Sequence, residues 1–534
     1  MKNETKRGEK PKKRAVGIFR DFFRFIFSRT IITALLIIAQ IVWLWLLLTE
    51  LAEYSVVIRY LTAALAVVLA LVIINKDEVP EYKLPWLVIV VLPILGGVLY
   101  FFFGINRPAR WMRKRLENTL EKAEHILPQN GDVMTALKEA DALAGSQAEY
   151  LFKAAGSPVF EGGETRYFSM GEEMFPVLVE ELKKAKKFVF LEYFIVEQGV
   201  FWDTVLEVLK EKAAQGVEVR VMYDDVGSGN TLPFRYWKKL EKAGLKAQAF
   251  NPFRPFVSAL HNNRDHRKIA VIDNAVAFTG GINFADEYIN EKRRFGTWKD
   301  TGVMLKGRGV ASMTAVFLSL WDLQSSKPTD YKEYLGYYPP QEEIEENKEA
   351  QGGYTVCFGD GPRPFYEEQI GKNVYLNILG SATKYVYIFT PYLICDNQTL
   401  SAIRLAAKRG VDVRLVTPHI PDKYLIYIIT RSNYASLIEA GVKIYEYTPG
   451  FIHAKSFVAD DKYAVVGTIN LDYRSLTHHF ECGMWMYDTA AVLQLRDDAE
   501  RTMAQGRQVT LREARLNPAQ KLFKSIVQVF TPLL

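Results

Sequence analysis

Apolar and polar positions divide the chain into two regimes. Over residues 30–104 apolar residues run almost unbroken, and from about residue 149 onward they alternate in strand-length and helix-length segments. Ile31 to Leu48 carries no charge and as a helix would measure about 27 Å, close to the hydrocarbon core of a bilayer. A second run, Val56 to Ile74, has Arg59 near enough to its start to snorkel to the interface. The third, Leu84 to Phe103, holds Pro93 and Gly96-Gly97 and ends in the aromatic Tyr100 to Phe103. A cleaved signal peptide fits the first run poorly, because no small-residue cleavage site follows it and further apolar runs do. The pattern predicts N-terminal transmembrane helices, with a buried soluble helix as the alternative for the third run.

From residue 149 the pattern occurs twice. An apolar strand, Phe188 to Val196, leads into a helical run that ends in Gly216-Val-Glu-Val-Arg-Val221, and a second helix ends in Ala243-Gly-Leu-Lys246. The same order returns as Tyr385 to Ile394, Gly410-Val-Asp-Val-Arg-Leu415 and Ala440-Gly-Val-Lys443. Strands alternating with helices that close on glycine predict a mixed α/β layer fold. Tandem duplication predicts two halves, 149–324 and 354–534, related by a pseudo-two-fold axis and joined by the linker 325–353. Ahead of them lie a basic arm (1–29), the apolar region (30–104) and a basic helical linker (105–148).

Charge changes this picture only at the N-terminus. The net charge of +6 is too small to demand a nucleic-acid partner, but ten Lys or Arg residues lie between Lys2 and Arg29, against three acids. A second cluster, Arg107, Arg110, Arg113, Lys114 and Arg115, follows the third run. Both clusters should stay cytoplasmic, which three full crossings cannot achieve. Either one run is re-entrant or one cluster breaks the rule; we expect a multi-pass cell-membrane protein with its catalytic part facing the cytoplasm. The helical pattern from Arg107 to Leu127 fits an interfacial helix or a solvated linker equally. The tail, Lys521 to Leu534, is amphipathic and is expected to pack on the protein. Three scattered cysteines, Cys357, Cys395 and Cys482, indicate neither a disulfide framework nor a zinc site.

The chemistry sits in two copies of one motif. His266-Arg-Lys268 with Asp273, and His453-Ala-Lys455 with Asp460, both read H-x-K-x4-D. Each is followed by a glycine and then by Asn283 or Asn470, seventeen positions after its histidine. On strands, His and Lys of one copy would share a face about 7 Å apart. A hairpin at the aspartate would bring the asparagine back towards the histidine. An imidazole, an ammonium and an amide make a poor metal site but suit a phosphate. Lys268, Lys455, Asn283 and Asn470 would hold its oxygens, while one histidine attacks phosphorus and the other protonates the leaving oxygen. The second nitrogen of a nucleophilic imidazole needs a partner to set the tautomer. Asp300 and Glu481, one downstream of each motif, are the candidates; Asp273 and Asp460 belong either with the catalytic residues or to a brace between the halves. His125, His261, His419, His478 and His479 lack comparable company.

These residues resemble the phospholipase D superfamily, and most closely the bacterial cardiolipin synthases. The resemblance rests on Asn263-Arg-Asp-His-Arg-Lys268, Gly280-Gly-Ile-Asn283 with Asp286-Glu-Tyr288, Trp298-Lys-Asp300, Thr390-Pro-Tyr392, Gly467-Thr-Ile-Asn-Leu-Asp-Tyr-Arg-Ser475 and Phe480-Glu481. It implies a phosphatidyltransferase working by a ping-pong route. His266 attacks one phosphatidylglycerol to give a phosphatidyl-histidine, and His453 protonates departing glycerol. His453 then activates a hydroxyl of a second phosphatidylglycerol to give cardiolipin. Neither metal nor other cofactor is implied. The partners implied are phosphatidylglycerol, cardiolipin and the lipid bilayer, with no nucleic acid. A phospholipid hydrolase, a membrane-tethered nuclease and a non-catalytic lipid-binding scaffold are the alternatives.

Overall fold

A computed structural model describes residues 55–533 apart from 77–79, 92–94, 105–109, 253–261, 326 and 340–351, and before them only 35, 38–39, 42–43 and 46. The basic arm, most of the first apolar run, His261 and much of the linker 325–353 lie outside the described residues. The chain forms two compact units, one of residues 1–107, 253–262 and Leu533, the other of nearly everything else.

In the first unit the second apolar run is the helix Ser55–Ile74. Its uninterrupted apolar part, from Ala63 to Ile74, would be about 18 Å long. The third run is not one helix. It is divided into Pro80–Val90, Leu95–Leu99 and a π-helical turn, Tyr100–Gly104. Gly96 permits the break, since a Cβ there would lie 2.1 Å from the Ile89 carbonyl oxygen. Ile73, Trp86, Val90 and Tyr100 form a small core, with Trp86 and Tyr100 edge to face at 5.6 Å. No helix among the described residues is long and apolar enough to cross a membrane, so the expectation of transmembrane helices is not met there.

The second unit holds both halves. In the first, β1 (Glu164–Phe168), β2 (Phe188–Tyr193), β3 (Glu218–Asp224), β4 (Lys246–Phe250), β5 (Lys268–Ile272), β6 (Val276–Gly280) and β7 (Gly302–Lys306) make a sheet of order β1-β7-β6-β5-β2-β3-β4. In the second, β8 (Tyr354–Asp360), β9 (Tyr385–Phe389), β10 (Asp412–Pro418), β11 (Lys443–Tyr447), β12 (Ser456–Ala459), β13 (Tyr463–Gly467) and β14 (Glu481–Tyr487) follow the order β8-β14-β13-β12-β9-β10-β11. Each strand of one sheet matches the strand seven numbers later in the other. In both sheets the three strands after a helical connection run parallel, and the histidine-motif hairpin adds antiparallel strands beside them. The second sheet gains the short edge strands Phe160–Glu161 and Arg507–Gln508.

Both faces of each sheet are covered, which is why its parallel strands read as continuous apolar runs. Along β2, Phe188 and Phe190 point into the core shared with the second half, and Val189 and Leu191 into a core capped by the helices Gly171–Lys184 and Val200–Ala214. The helix Val310–Gln324 runs through the shared core with thirteen of its residues buried. Against it packs Arg110–Ile126, which buries Leu116 and Ala123; its apolar side meets protein, where an interfacial helix would turn it to lipid and a solvated linker to water. The tail departs the other way. The helix Pro518–Phe530 buries no residue and leaves Leu522 66% and Ile526 57% exposed, so the expected packing of its apolar face is not found.

Candidate active site

The motif histidines lie just ahead of the strands expected to carry them, because β5 begins at Lys268 and β12 at Ser456. Each is anchored by the opposite half. His266 donates its backbone N–H to the Phe480 carbonyl at 2.9 Å, and His453 donates to the Lys299 carbonyl at 2.7 Å. The next residue after each acceptor is the expected carboxylate. His266 Nδ1 lies 2.9 and 3.0 Å from the two oxygens of Glu481, and His453 Nδ1 lies 2.6 Å from Asp300 Oδ2. A carboxylate only accepts, so each Nδ1 carries its proton there and each Nε2 is free for chemistry. Reciprocal contacts of this kind are what a two-fold arrangement of the halves produces. Each half therefore supplies one histidine and orients the other's.

The glycine fourteen positions after each histidine makes room for this. A Cβ on Gly280 would meet the Thr301 carbonyl oxygen at 2.3 Å, and one on Gly467 the Cys482 carbonyl oxygen at 2.5 Å. Thr301 and Cys482 directly follow Asp300 and Glu481, so the glycines let the carboxylate strands approach the hairpins.

Lys268 and Lys455 fold back on their own motifs. Lys268 Nζ donates to the His266 carbonyl at 2.6 Å, and Lys455 Nζ donates to the His453 carbonyl and lies 2.8 Å from His453 Nδ1. Burial pushes the Lys268 ammonium down to about 8 and that of Lys455 to about 7, with Asp300 and Glu481 opposing the shift. Burial, then the adjacent Lys455, lowers His453 to about 4 against the pull of Asp300; His266 is driven well below the ordinary histidine range by burial and by both lysines. Burial works to raise the Asp300 carboxyl, but Lys455 and His453 outweigh it and hold it below the usual range. The site is a buried cluster of cations and carboxylates whose balance an arriving phosphodiester anion would shift.

The motif aspartates lie elsewhere. Asp273 and Asn274 have φ of 51° and 56°, and Asp460 and Asp461 have 56° and 61°, the geometry of a two-residue type I′ hairpin turn. The Asp273 carboxylate accepts from the backbone N–H groups of Lys186, Lys187 and Phe188 at 2.6 to 2.8 Å. That of Asp460 accepts from Thr383, Lys384 and Tyr385 N–H and from the Thr383 hydroxyl at 2.7 to 2.9 Å. Both sit at the strand end remote from the histidines. Grouping them with the catalytic residues is corrected, and so is a brace between halves: each ties a hairpin to the neighbouring strand of its own half. Asp460→Ala should destabilise the protein by about 1 to 2 kcal/mol, since it removes the acceptor of four part-buried hydrogen bonds that tie the hairpin to its neighbouring strand. A thermal melt would register the loss, while the folded fraction keeps its specific activity.

The asparagines differ. Asn283 Oδ1 accepts from Ile195 N–H at 3.0 Å and its amide donates to the Tyr288 hydroxyl at 2.7 Å, whereas Asn470 Oδ1 is buried without a partner. Tyr288 in turn lies 5.7 Å from the His453 ring, joined by Trp298 at 5.5 Å and Phe451 at 5.9 Å. Around His266 stand Phe194 at 5.0 Å and His479 at 5.4 Å. Sequence reasoning quoted Tyr288 and Trp298 without giving them a role and left His479 without company, although Trp298 and His479 each lie two residues before a candidate carboxylate. It also missed Arg267, fully buried, whose guanidinium donates to the Glu481 and Val316 carbonyls at 3.0 Å and to the Tyr366 hydroxyl at 3.1 Å. That residue bolts the first half to the second directly behind Glu481.

Among the described residues, His266, His479 and Glu481 form a trio of metal-capable donors with ligand atoms within 4.8 Å of one another. Lys268 and Lys455 bear on the same imidazole and disfavour a cation there. The donor set suits an anion better.

Comparison with known proteins gives the family. Residues 178–321 and 375–503 match the family described as cardiolipin synthase, PLD-like domain, and 64–104 match the phospholipase D-nuclease N-terminal family. The chain is 34% identical over 474 residues to a cardiolipin synthase of Geobacillus thermodenitrificans, covering 88% of this chain and 92% of that one. The chain belongs to the cardiolipin synthase family. A further family relative, a cardiolipin synthase of Halalkalibacterium halodurans, is 33% identical over 480 residues, 88% of this chain and 92% of that one. An uncharacterised protein of Streptococcus mutans is 44% identical over 469 residues, 87% of this chain and 99% of its own. The fold is also that of the phosphatidylserine synthase of Haemophilus influenzae (TM-score 0.53, 15% identity, covering 73% of this chain and 98% of that one). The tandem phospholipase D-like halves expected from the repeat are therefore established.

Proposed function

We propose that the protein transfers a phosphatidyl group from one phosphatidylglycerol to another, releasing glycerol and forming cardiolipin. The observation that carries this reading is the crossed pair of histidine–carboxylate contacts with two buried lysines between them. His266 Nε2 attacks phosphorus as the bond to the glycerol oxygen breaks, and His453, which takes up a proton at Nε2 as the phosphodiester anion binds beside it, delivers that proton to the departing oxygen. In the second stage His453 takes the proton from a hydroxyl of the next phosphatidylglycerol, which attacks phosphorus and releases His266. We assign the nucleophile to His266 and the proton transfers to His453, as the family resemblance implies; burial holds both imidazoles below the ordinary histidine range. Lys268, Lys455 and Asn470 hold the non-bridging oxygens; Asn283 contributes by setting Tyr288. One phosphodiester replaces another, so no cofactor is called for.

Membrane attachment belongs to the same proposal. The helix Ser55–Ile74 exposes Val57, Leu61, Val67 and Val68, the tail helix exposes Leu522, Phe523 and Ile526 beside Lys521, and both substrates are bilayer lipids. We place the protein in the cell membrane as a multi-pass protein, with the catalytic unit on the cytoplasmic side where the basic clusters belong.

The purified protein, incubated with phosphatidylglycerol in detergent, should yield cardiolipin and free glycerol in equal amounts. Phosphatidic acid as the sole phospholipid product would sink the transferase reading in favour of the hydrolase.

A further inference from the structure

The pocket contains a third imidazole for which the reaction so far has no use. His479 follows the helix Tyr473–Thr477, its backbone N–H donating to the Arg474 carbonyl at 3.0 Å, and its ring comes 5.4 Å from that of His266. Neither ring nitrogen has a hydrogen-bond partner, and neither reaches solvent. Buried polar atoms are almost always paired, so this ring has hydrogen-bonding capacity left for a group that enters the site.

The chemistry of that group follows from the surroundings. Burial, reinforced by His266 and Arg474, pushes His479 down to about 3 against Glu481, so the ring is neutral and offers one donor and one acceptor. Its Nδ1 lies 3.7 Å from Glu481 Oε1, an atom that only accepts. A proton on Nδ1, the nitrogen nearer this acceptor, leaves the lone pair on Nε2 for a donor that enters the site. An ionised phosphate oxygen has no proton to offer that lone pair; a hydroxyl does. The matching position in the other half emphasises the asymmetry. Trp298, two residues before Asp300 as His479 is before Glu481, also has a buried, unpartnered ring nitrogen, but an indole can only donate.

We propose that His479 is a specificity residue that accepts a hydrogen bond from a headgroup hydroxyl other than the one that reacts, and so selects a polyol over a simple alcohol or water as phosphatidyl acceptor. This rests on the phosphatidyl-transfer reading. An interaction lost from a site built to bind a hydroxyl discriminates strongly, because the site's own polar atom is then left unpaired.

The test uses the full-length protein with phosphatidylglycerol in detergent micelles, offered glycerol and 1-propanol together as competing water-soluble acceptors. The readout is the ratio of newly labelled phosphatidylglycerol to phosphatidylpropanol, which depends only on active molecules and is blind to partial unfolding. His479→Phe should lower the glycerol-to-propanol ratio at least tenfold, and His479→Gln, which keeps an acceptor, should restore most of it. If His479→Phe is too unstable to assay, His479→Leu takes its place. An unchanged ratio, with both transfers falling together, would overturn the inference and leave the transfer reading intact. A wild-type protein that transfers to neither alcohol would remove the transfer reading and this inference with it.

Discussion

His266→Ala should abolish phosphatidyl transfer, by about 10⁴-fold or more, and no covalent lipid should remain on the protein. His453→Ala should be as inactive towards phosphatidylglycerol for a different reason. Its nucleophile is intact, but glycerol leaves as an unprotonated alkoxide. A p-nitrophenyl phosphodiester separates the two cases, since p-nitrophenolate departs without needing a proton. With that donor His453→Ala should release one burst of p-nitrophenolate per active site and then stall as the phosphatidyl-histidine, while His266→Ala shows no burst. The opposite result, a burst in His266→Ala alone, would exchange the roles of the two histidines without disturbing the site.

The second large effect tests the crossing itself. Asp300→Asn and Glu481→Gln keep size and shape but remove the charge and turn one of the two acceptor oxygens that set each imidazole's tautomer into an NH2 donor, a change expected to lower turnover by about 10²- to 10⁴-fold. Because Glu481 holds His266, Glu481→Gln should slow the burst. Because Asp300 holds His453, Asp300→Asn should leave the burst nearly intact and slow the turnover that follows. Pairing within each half would reverse the two outcomes. Stopped-flow traces of both variants with the p-nitrophenyl donor decide between them.

The depth of the crossing explains why it was only half legible. Strand alternation, glycine helix ends and H-x-K-x4-D spacing are local patterns, and they were sufficient for two α/β halves, two hairpins and a shared phosphate site. Asp300 and Glu481 were recognisable as carboxylates in want of an imidazole. Which imidazole each reaches depends on contacts across 153 and 215 residues of chain, and no periodicity carries that information. The motif aspartates show the converse failure. Their spacing from His and Lys looks catalytic, yet that spacing is the length of one strand, and it places them at a turn whose left-handed backbone their carboxylates stabilise.

The sequence by itself determined the repeat, the succession of strands and helices that the repeat shares, the identity of the paired His and Lys, and the apolar N-terminal region. Each of these is written in residues a few positions apart, where sterics, side-chain alternation and hydrogen-bonding capacity act directly. Tertiary structure alone decided the exchange of carboxylates between halves, the division of the third apolar run, the burial of Arg267 behind Glu481, and the placing of Trp298 and His479 against opposite histidines. Those features arise where two packed sheets meet, and a buried polar atom there takes whichever partner the packing brings within reach.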